Sequence, residues 1–187
     1  MFSGSGMSAE SGLKIFRYND GLWENYRVED VATPEAWKAN PELVLDFYNQ
    51  RRKQLFDSKP NLAQHLVQKL EKDFDITVIT QNIDDLRERA GSTNVLHLHG
   101  ELKKVRSIKH TNLIYDWKDP ALNLGDLCER GTQLRPYVVW FGEEVSMMNN
   151  ALEISNTAGI LIIIGTSLKV YPAANIAFSV PKNCLNF

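Results

Sequence analysis

Cysteine is scarce in this chain. Only Cys128 and Cys184 occur among its 187 residues, too few for a disulfide framework or a four-thiolate zinc site. Long apolar runs are missing as well: the longest, Ile160 to Ile164 with its neighbours, falls far short of the roughly 20 residues that span a bilayer. No basic segment followed by a hydrophobic stretch opens the chain, so no signal peptide is visible. A reducing, cytoplasmic setting without a membrane partner is expected. Positive charge is not in excess either. With 21 Lys and Arg against 23 Asp and Glu, there is no field for gripping a phosphate backbone, and nucleic acid is not an expected partner. What is present, 43% hydrophobic and 24% charged residues, is the balance of one globular domain with a buried core.

The hydrophobic pattern is that of a mixed α/β chain. Short β-rich runs occur at Ile76 to Thr80, Val95 to His99, Val138 to Phe141 and Ile160 to Ile164. The last is apolar at every position, as a strand buried on both faces should be, and predicts a covered parallel sheet. A helix is predicted from Asn61, an N-cap after Pro60, with Leu62, Leu66, Leu70 and Phe74 at intervals of four forming its apolar face. A second starts near Pro41 and carries Leu43, Val44, Phe47, Tyr48, Arg51 and Leu55 on one broad face, which makes Tyr48 and Arg51 neighbours one turn apart. Gly12 to Asn40 and Gly100 to Arg135 read as long irregular insertions rather than sheet elements.

Several short constellations have chemistry in them. Gly4-Ser5-Gly6-Met7-Ser8-Ala9 has the G-x-G-x-x-A spacing that lets a backbone turn tightly against a pyrophosphate, although a flexible Ser/Gly start fits the same residues. Gln81, Asn82, Ile83, Asp84 and Asp85 follow the strand ending at Thr80, and Gly165-Thr166-Ser167 follows the strand ending at Ile164; open α/β sheets bind ligands at such carboxyl ends. Turn and cap hydrogen bonding is the alternative for both. In His97-Leu98-His99-Gly100 the imidazoles sit at alternate strand positions and point to one side, with Gly100 allowing a sharp turn. Either is a general base or a structural histidine. His97, His99, His110 and Cys128 lack metal-site spacing.

Taken in order, Gly4 to Gly12 with Phe16-Arg17, Thr80 to Asp84, His97 to Gly100, Trp140-Phe141-Gly142-Glu143 and Gly165 to Ser167 resemble the sirtuin family over nearly the whole chain. The resemblance implies a Rossmann-like α/β fold, a parallel sheet with helices on both faces and a small inserted lobe. Residues 1–187 would form a single catalytic domain, with lobe insertions at about 12–60 and 100–135. It implies an NAD-dependent protein-lysine deacylase that transfers an acyl group to ADP-ribose and releases nicotinamide, with acylated lysine side chains of proteins as partners. His99 would be the catalytic base. Cofactor contacts would fall to Gly4, Ser5, Gly6, Ser8, Ala9, Glu10, Phe16, Arg17, Trp23, Gln81, Asn82, Ile83, Asp84, Gly165, Thr166 and Ser167. Substrate contacts would fall to Tyr48, Arg51, Val139, Phe141, Gly142 and Glu143.

Tyr48-Asn49-Gln50-Arg51 resembles the tyrosine and arginine of the class III branch, which accepts succinyl-lysine and malonyl-lysine. A guanidinium suits a carboxylate-ended acyl chain through two parallel hydrogen bonds. Departures from the family pattern are Ser5 where alanine is usual, Lys14-Ile15 before Phe16, and the zinc cysteines. Ser107 stands where the first cysteine pair would begin, and Cys128 alone marks the second. No metal is therefore expected, and Ile108, Leu113, Ile114, Trp117 and Leu122 would hold the small lobe together. The chain reads as short at both ends of the family pattern. A first strand confined to Met1 through Ser3 would leave the central sheet position nearly empty, and a catalytically weak NAD- or ADP-ribose-binding fragment is the alternative reading. An NAD-dependent dehydrogenase would need a strand leading to Glu29 or Asp30, and none is visible.

Overall fold

The computed structural model describes residues 1–14 and 26–187 and the backbone of 22–23. The larger lobe is organised by a parallel sheet in which β1 (Phe2–Ser3) lies between β4 (Val78–Thr80) and β10 (Ile163–Ile164), with β5 (Val95–His97) beyond β4. Although β1 has two residues, it carries the ladder on both sides. Phe2 N–H donates to Ile162 O and Gly4 N–H to Ile164 O, while Ile79 and Gln81 donate to Met1 O and Ser3 O. The expected vacancy at the sheet centre is thus corrected. The neighbouring strands are themselves so short that a two-residue β1 and its flanks meet their backbone groups.

Helices cover both faces of this sheet. Phe2, Ile79, Leu98 and Leu161 pack against Ala151 of α6 (Met148–Ser155) and Ala173 and Ile176 of a short 3-10 helix, Ala173–Phe178. On the other face Met7 and Val78 pack against Val67 of α4 (Leu62–Leu70). This helix begins as expected: Asn61 accepts from Gln64 N–H, and the Gln64 side chain accepts from Asn61 N–H, a reciprocal cap. Its buried face differs from the expected one. Leu62, Leu66, Leu70 and Phe74 are 69, 49, 38 and 53% exposed, while Gln64 and Val67 are buried. Gln64 faces inward because its amide reaches the hydroxyls of Ser8 and Ser11 on the glycine loop. The Ile160 to Ile164 run is divided between β9 (Ile160–Leu161), which pairs with β11 (Leu185–Asn186), and β10, and Ile160 is 43% exposed. The run is therefore not buried on both faces.

The second lobe is built differently from its prediction. After β2 (Leu22–Trp23) and β3 (Tyr26–Arg27), which pair antiparallel, residues 28–57 form α1 (Val28–Val31), α2 (Pro34–Ala39) and α3 (Pro41–Asp57). Past α5 (Leu86–Ala90) and β5, the segment from Gly100 is a three-stranded antiparallel sheet, with β6 (Gly100–Ser107) between β7 (Ile114–Asp116) and β8 (Leu134–Val138). The run Val138 to Phe141 therefore does not join the parallel sheet. Gly100 reverses the chain at φ +80°, where a Cβ would stand 2.2 Å from Tyr137 O, and so brings β8 against β6.

The lobe's core is Leu45, Val105, Leu122, Cys128 and Leu134, with Leu113 and Trp117 packed beside it. Ile108 and Ile114, expected there, are exposed because they lie on the outward side of the small sheet. Ser107, Cys128 and Thr132 meet where the resemblance implies zinc cysteines: Thr132 Oγ1 lies 2.6 Å from Ser107 Oγ and 3.1 Å from Cys128 Sγ. One thiol and two hydroxyls are not the ligand set of a structural zinc. Within this lobe, helix α3 is tied to the segment that carries the antiparallel sheet. Asn49 exchanges two hydrogen bonds with the backbone of Leu122, and buried Arg52 donates to Leu102 O and Asn49 Oδ1. Among the described residues, no helix is long and apolar enough to cross a membrane.

Candidate active site

The loops after β1, β4 and β10 meet at the carboxyl end of the parallel sheet, at the point where the chain leaves β1 toward opposite sides. Open α/β sheets place ligands there. A cavity of about 780 Å³ lies between these loops and the second lobe. It is bordered by Gly4, Ser5, Gly6, Ser8, Gln81, Asn82, Ile83, Asp84, His99, Gly165, Thr166 and Ser167, and from the other lobe by Tyr48, Arg51, Val139, Phe141, Gly142 and Glu143.

The two glycine-bearing loops press on each other. A Cβ on Gly4 would stand 2.8 Å from Gly165 O and from Thr166 Cβ, and one on Gly165, where φ is +67°, would stand 2.4 Å from Met7 N. Gly6 N–H donates to Gly165 O at 2.9 Å. Gly4 supplies no side-chain cap to the 3-10 helix Ser5–Ser11, whose first turn carries no acidic residue. Such a start is compatible with a bound diphosphate. Ala9 is not at the cavity wall, and Glu10 borders a separate cleft with Asp57, Lys59 and Asn61. Phe16, Arg17 and Ile15 lie outside the described residues, as does the side chain of Trp23.

Ser8 organises the wall next to these glycines. Its hydroxyl donates to Asp84 Oδ2 at 2.8 Å and accepts from Asn82 Nδ2 at 3.0 Å and Gln64 Nε2 at 3.3 Å. Burial raises the Asp84 carboxyl, and the bonds from Ser8 and from Leu86 N–H act against that rise. Gln81 Nε2 donates to Thr166 Oγ1 at 2.9 Å and links two strand ends.

Both histidines turn toward this loop, each on a different carbonyl. His99 Nδ1 lies 3.1 Å from Gln81 O, and His97 Nδ1 2.9 Å from Asn82 O. A carbonyl only accepts, so the His99 proton sits on Nδ1 and Nε2 presents a lone pair. Burial lowers the pKa of His99, with the Gln81 bond opposing, and keeps the ring neutral. A neutral imidazole at a cavity wall is suited to receiving a proton.

Across the cavity, Tyr48 and Arg51 are both buried. Tyr48 Oη accepts from Trp140 Nε1 at 3.1 Å, and burial raises its pKa. Arg51 donates to Phe47 O at 2.9 Å and lies 4.1 Å from the centre of the Phe47 ring. Burial lowers its pKa to about 10, so it remains charged at neutral pH. Trp140 is held in turn: the Arg135 guanidinium stacks 3.2 Å from its ring centre, and Glu143 accepts from its backbone N–H at 2.8 Å. Glu143 also accepts from Arg135 Nη1 at 2.6 Å and Nη2 at 2.9 Å, and from Arg106 at 3.0 Å. Its carboxylate braces the Trp140 segment while its residue borders the cavity. Sequence reasoning missed Trp140 and Arg135 as parts of this site. Only the Trp-Phe-Gly-Glu run pointed near them, and the Trp140 to Tyr48 bond spans 92 residues.

Comparison with known proteins identifies the family of the chain. The model of the Sir2 family matches residues 4–172. A protein of Helicobacter pylori named NAD-dependent protein deacylase is 55% identical over 185 residues, covering 99% of this chain and 80% of that protein. A Bacteroides thetaiotaomicron protein of the same name is 50% identical over 187 residues, covering 97% and 80%. A solved Sir2 homologue in complex with NAD superposes with a TM-score of 0.86 at 40% identity, over 95% of this chain and 71% of that one. A family match over most of the chain, with these glycine loops and His99 around one cavity, means that the chain belongs to the Sir2 family.

Proposed function

We propose that this NAD-dependent protein deacylase removes succinyl and malonyl groups from lysine side chains, as well as acetyl. The observation that carries the acyl preference is the placement of Tyr48 and Arg51, buried and adjacent on α3, at the wall of the cavity that also contains His99. The deacylase names of relatives at 50 to 55% identity support the activity.

NAD supplies, when bound, the ribose carbon bearing a nicotinamide leaving group and the ADP-ribose that takes the acyl chain. The loops at Gly4 to Gly6 and Gly165 to Ser167 fit the diphosphate and adenosine side, because glycines there let two backbones and a ligand share little space. Asn82 and Asp84, tied together through Ser8, form a rigid wall that orients the nicotinamide ribose. His99 Nε2 takes a proton from a ribose hydroxyl. Arg51 binds the terminal carboxylate of a succinyl or malonyl chain. Trp140 donates to Tyr48, so the Tyr48 hydroxyl hydrogen points away from the indole and toward other acceptors. Val139, Phe141 and Gly142 bring backbone and apolar surface to the acylated lysine.

The small lobe is read as held without zinc, by the contacts of Asn49 and Arg52 and by its apolar core. Cys128 and Cys184 are both free thiols, which suits a reducing, cytoplasmic location.

The test is mass-spectrometric turnover of acetyl-, malonyl- and succinyl-lysine peptides with and without NAD, for the parent and Arg51→Met. A charged hydrogen bond of about 1.5 to 3 kcal/mol corresponds to a loss of about 10- to 150-fold on succinyl and malonyl peptides, with acetyl turnover largely kept. Equal losses on all peptides would assign Arg51 to the fold instead. Absent nicotinamide release with any acyl peptide would favour a binding fragment.

A further inference from the structure

His97 takes no part in the chemistry assigned to His99, yet its ring is engaged at both nitrogens. Its side chain is 8% exposed, with Nδ1 2.9 Å from Asn82 O and Nε2 2.7 Å from Glu88 Oε1. Both partners are acceptors. Two hydrogen bonds therefore require protons on both nitrogens, which is the imidazolium form. A neutral ring has one N–H and would turn one of the two contacts into a lone pair facing an oxygen.

Asn82 links this ring to the cofactor wall. Its backbone N–H donates to Thr80 Oγ1 at 3.0 Å, its carbonyl faces His97, and its side-chain amide donates to Ser8 Oγ on the glycine loop. We propose that doubly protonated His97, held by Glu88 of α5, is a positioning residue for the NAD site: it anchors the Asn82 carbonyl and with it the Asn82 to Ser8 contact.

The charges around His97 agree. Burial favours its neutral form, but the bond to Glu88 and that group's charge, the Asn82 carbonyl and the charge of Glu101 outweigh burial and raise its pKa. Asp84 also feels the His97 charge, and Arg87 on α5 interacts with Asp84 and Glu88. A group whose folded pKa is raised acts fully below its unfolded value of about 6.5 and loses its effect as pH rises through the raised value. NAD binding should therefore weaken on the alkaline side, whereas protonation of His99 in acid limits turnover rather than binding.

The experiment measures dissociation constants for NAD and ADP-ribose from pH 6 to 9, together with the NMR titration of the His97 ring in the ligand-free protein. In the parent, the ring should titrate above about 6.5, and affinity should fall about tenfold across that transition. Glu88→Gln retains an acceptor and removes the charge, so both transitions should move down together. In His97→Asn the amide nitrogen is as far from Cβ as the imidazole Nδ1. That variant keeps the Asn82 contact without titrating, and its affinity should be near the parent's acidic value and flat with pH. A ring that titrates at or below about 6.5 in the parent, or an alkaline limb that survives in His97→Asn, would overturn the proposal. No acyl substrate is used, so the outcome does not depend on the acyl preference.

Discussion

The indole nitrogen of Trp140 donates a 3.1 Å hydrogen bond to the hydroxyl of Tyr48, across the boundary between β8's end and α3. Through this bond the Arg135 and Glu143 pair that grips Trp140 also sets the direction of the Tyr48 hydroxyl.

Trp140→Phe keeps a ring under Arg135 and removes the donor. A neutral hydrogen bond contributes about 0.5 to 1.5 kcal/mol. Desuccinylation should fall about 2- to 12-fold and deacetylation less, as read from the ratio of kcat/KM values on matched peptides. An unchanged ratio would mean that Tyr48 does not depend on Trp140.

His99→Ala should lower deacylation by about 10²- to 10⁴-fold while NAD binding is mostly kept, because a general base acts in chemistry more than in affinity. The pH profile gives a second check. Burial lowers the His99 pKa, and the working form is neutral. Activity should hold at neutral pH and decline only as pH falls through a value below about 6.5. Turnover that already declines above that value would contradict the assignment.

Glu143 links stability to pH. Burial acts to raise its pKa, but the hydrogen bonds and charge of Arg135, with the Trp140 N–H, hold it below the usual carboxylate range. A depressed folded pKa contributes stability above the unfolded value of about 4.3 that is lost as pH falls through the folded one. Glu143→Gln leaves Arg135 charged without its partner and should cost about 3 kcal/mol at pH 7, or about 6 to 12 °C in Tm. The gap from the parent should narrow in acid; thermal melts at pH 7 and pH 3 measure it.

Elemental analysis of the purified protein should find no stoichiometric zinc, and a chelator should leave its Tm unchanged, because Ser107 and Thr132 bring hydroxyls to Cys128. Close to one zinc per chain would refute this.

The sequence by itself determined the local and periodic features. The helix carrying Tyr48 and Arg51 was legible because apolar residues recur on one face from Leu43 to Leu55, and the structure forms it over Pro41–Asp57. The N-cap at Asn61 and the sharp turn at Gly100 were legible because each depends on a side chain or backbone within a few residues; the return bond from Gln64 was not read from the sequence. Tertiary structure decided which face of a helix is buried and which sheet a strand joins. Leu62, Leu66 and Leu70 recur every four residues, yet α4 turns Gln64 and Val67 inward, since Gln64 finds Ser8 on a loop 56 residues away. The run at Val138 has strand character in either sheet; Gly100 and its contact with Tyr137 place it in the antiparallel one. The same holds for His97 and His99. Their spacing predicts both on one side of a strand, whereas β5 ends at His97 and His99 lies beyond it; only the fold sets Glu88 against one ring and leaves the other facing the cavity with a single carbonyl, and that difference in partners gives two like side chains opposite pKa shifts.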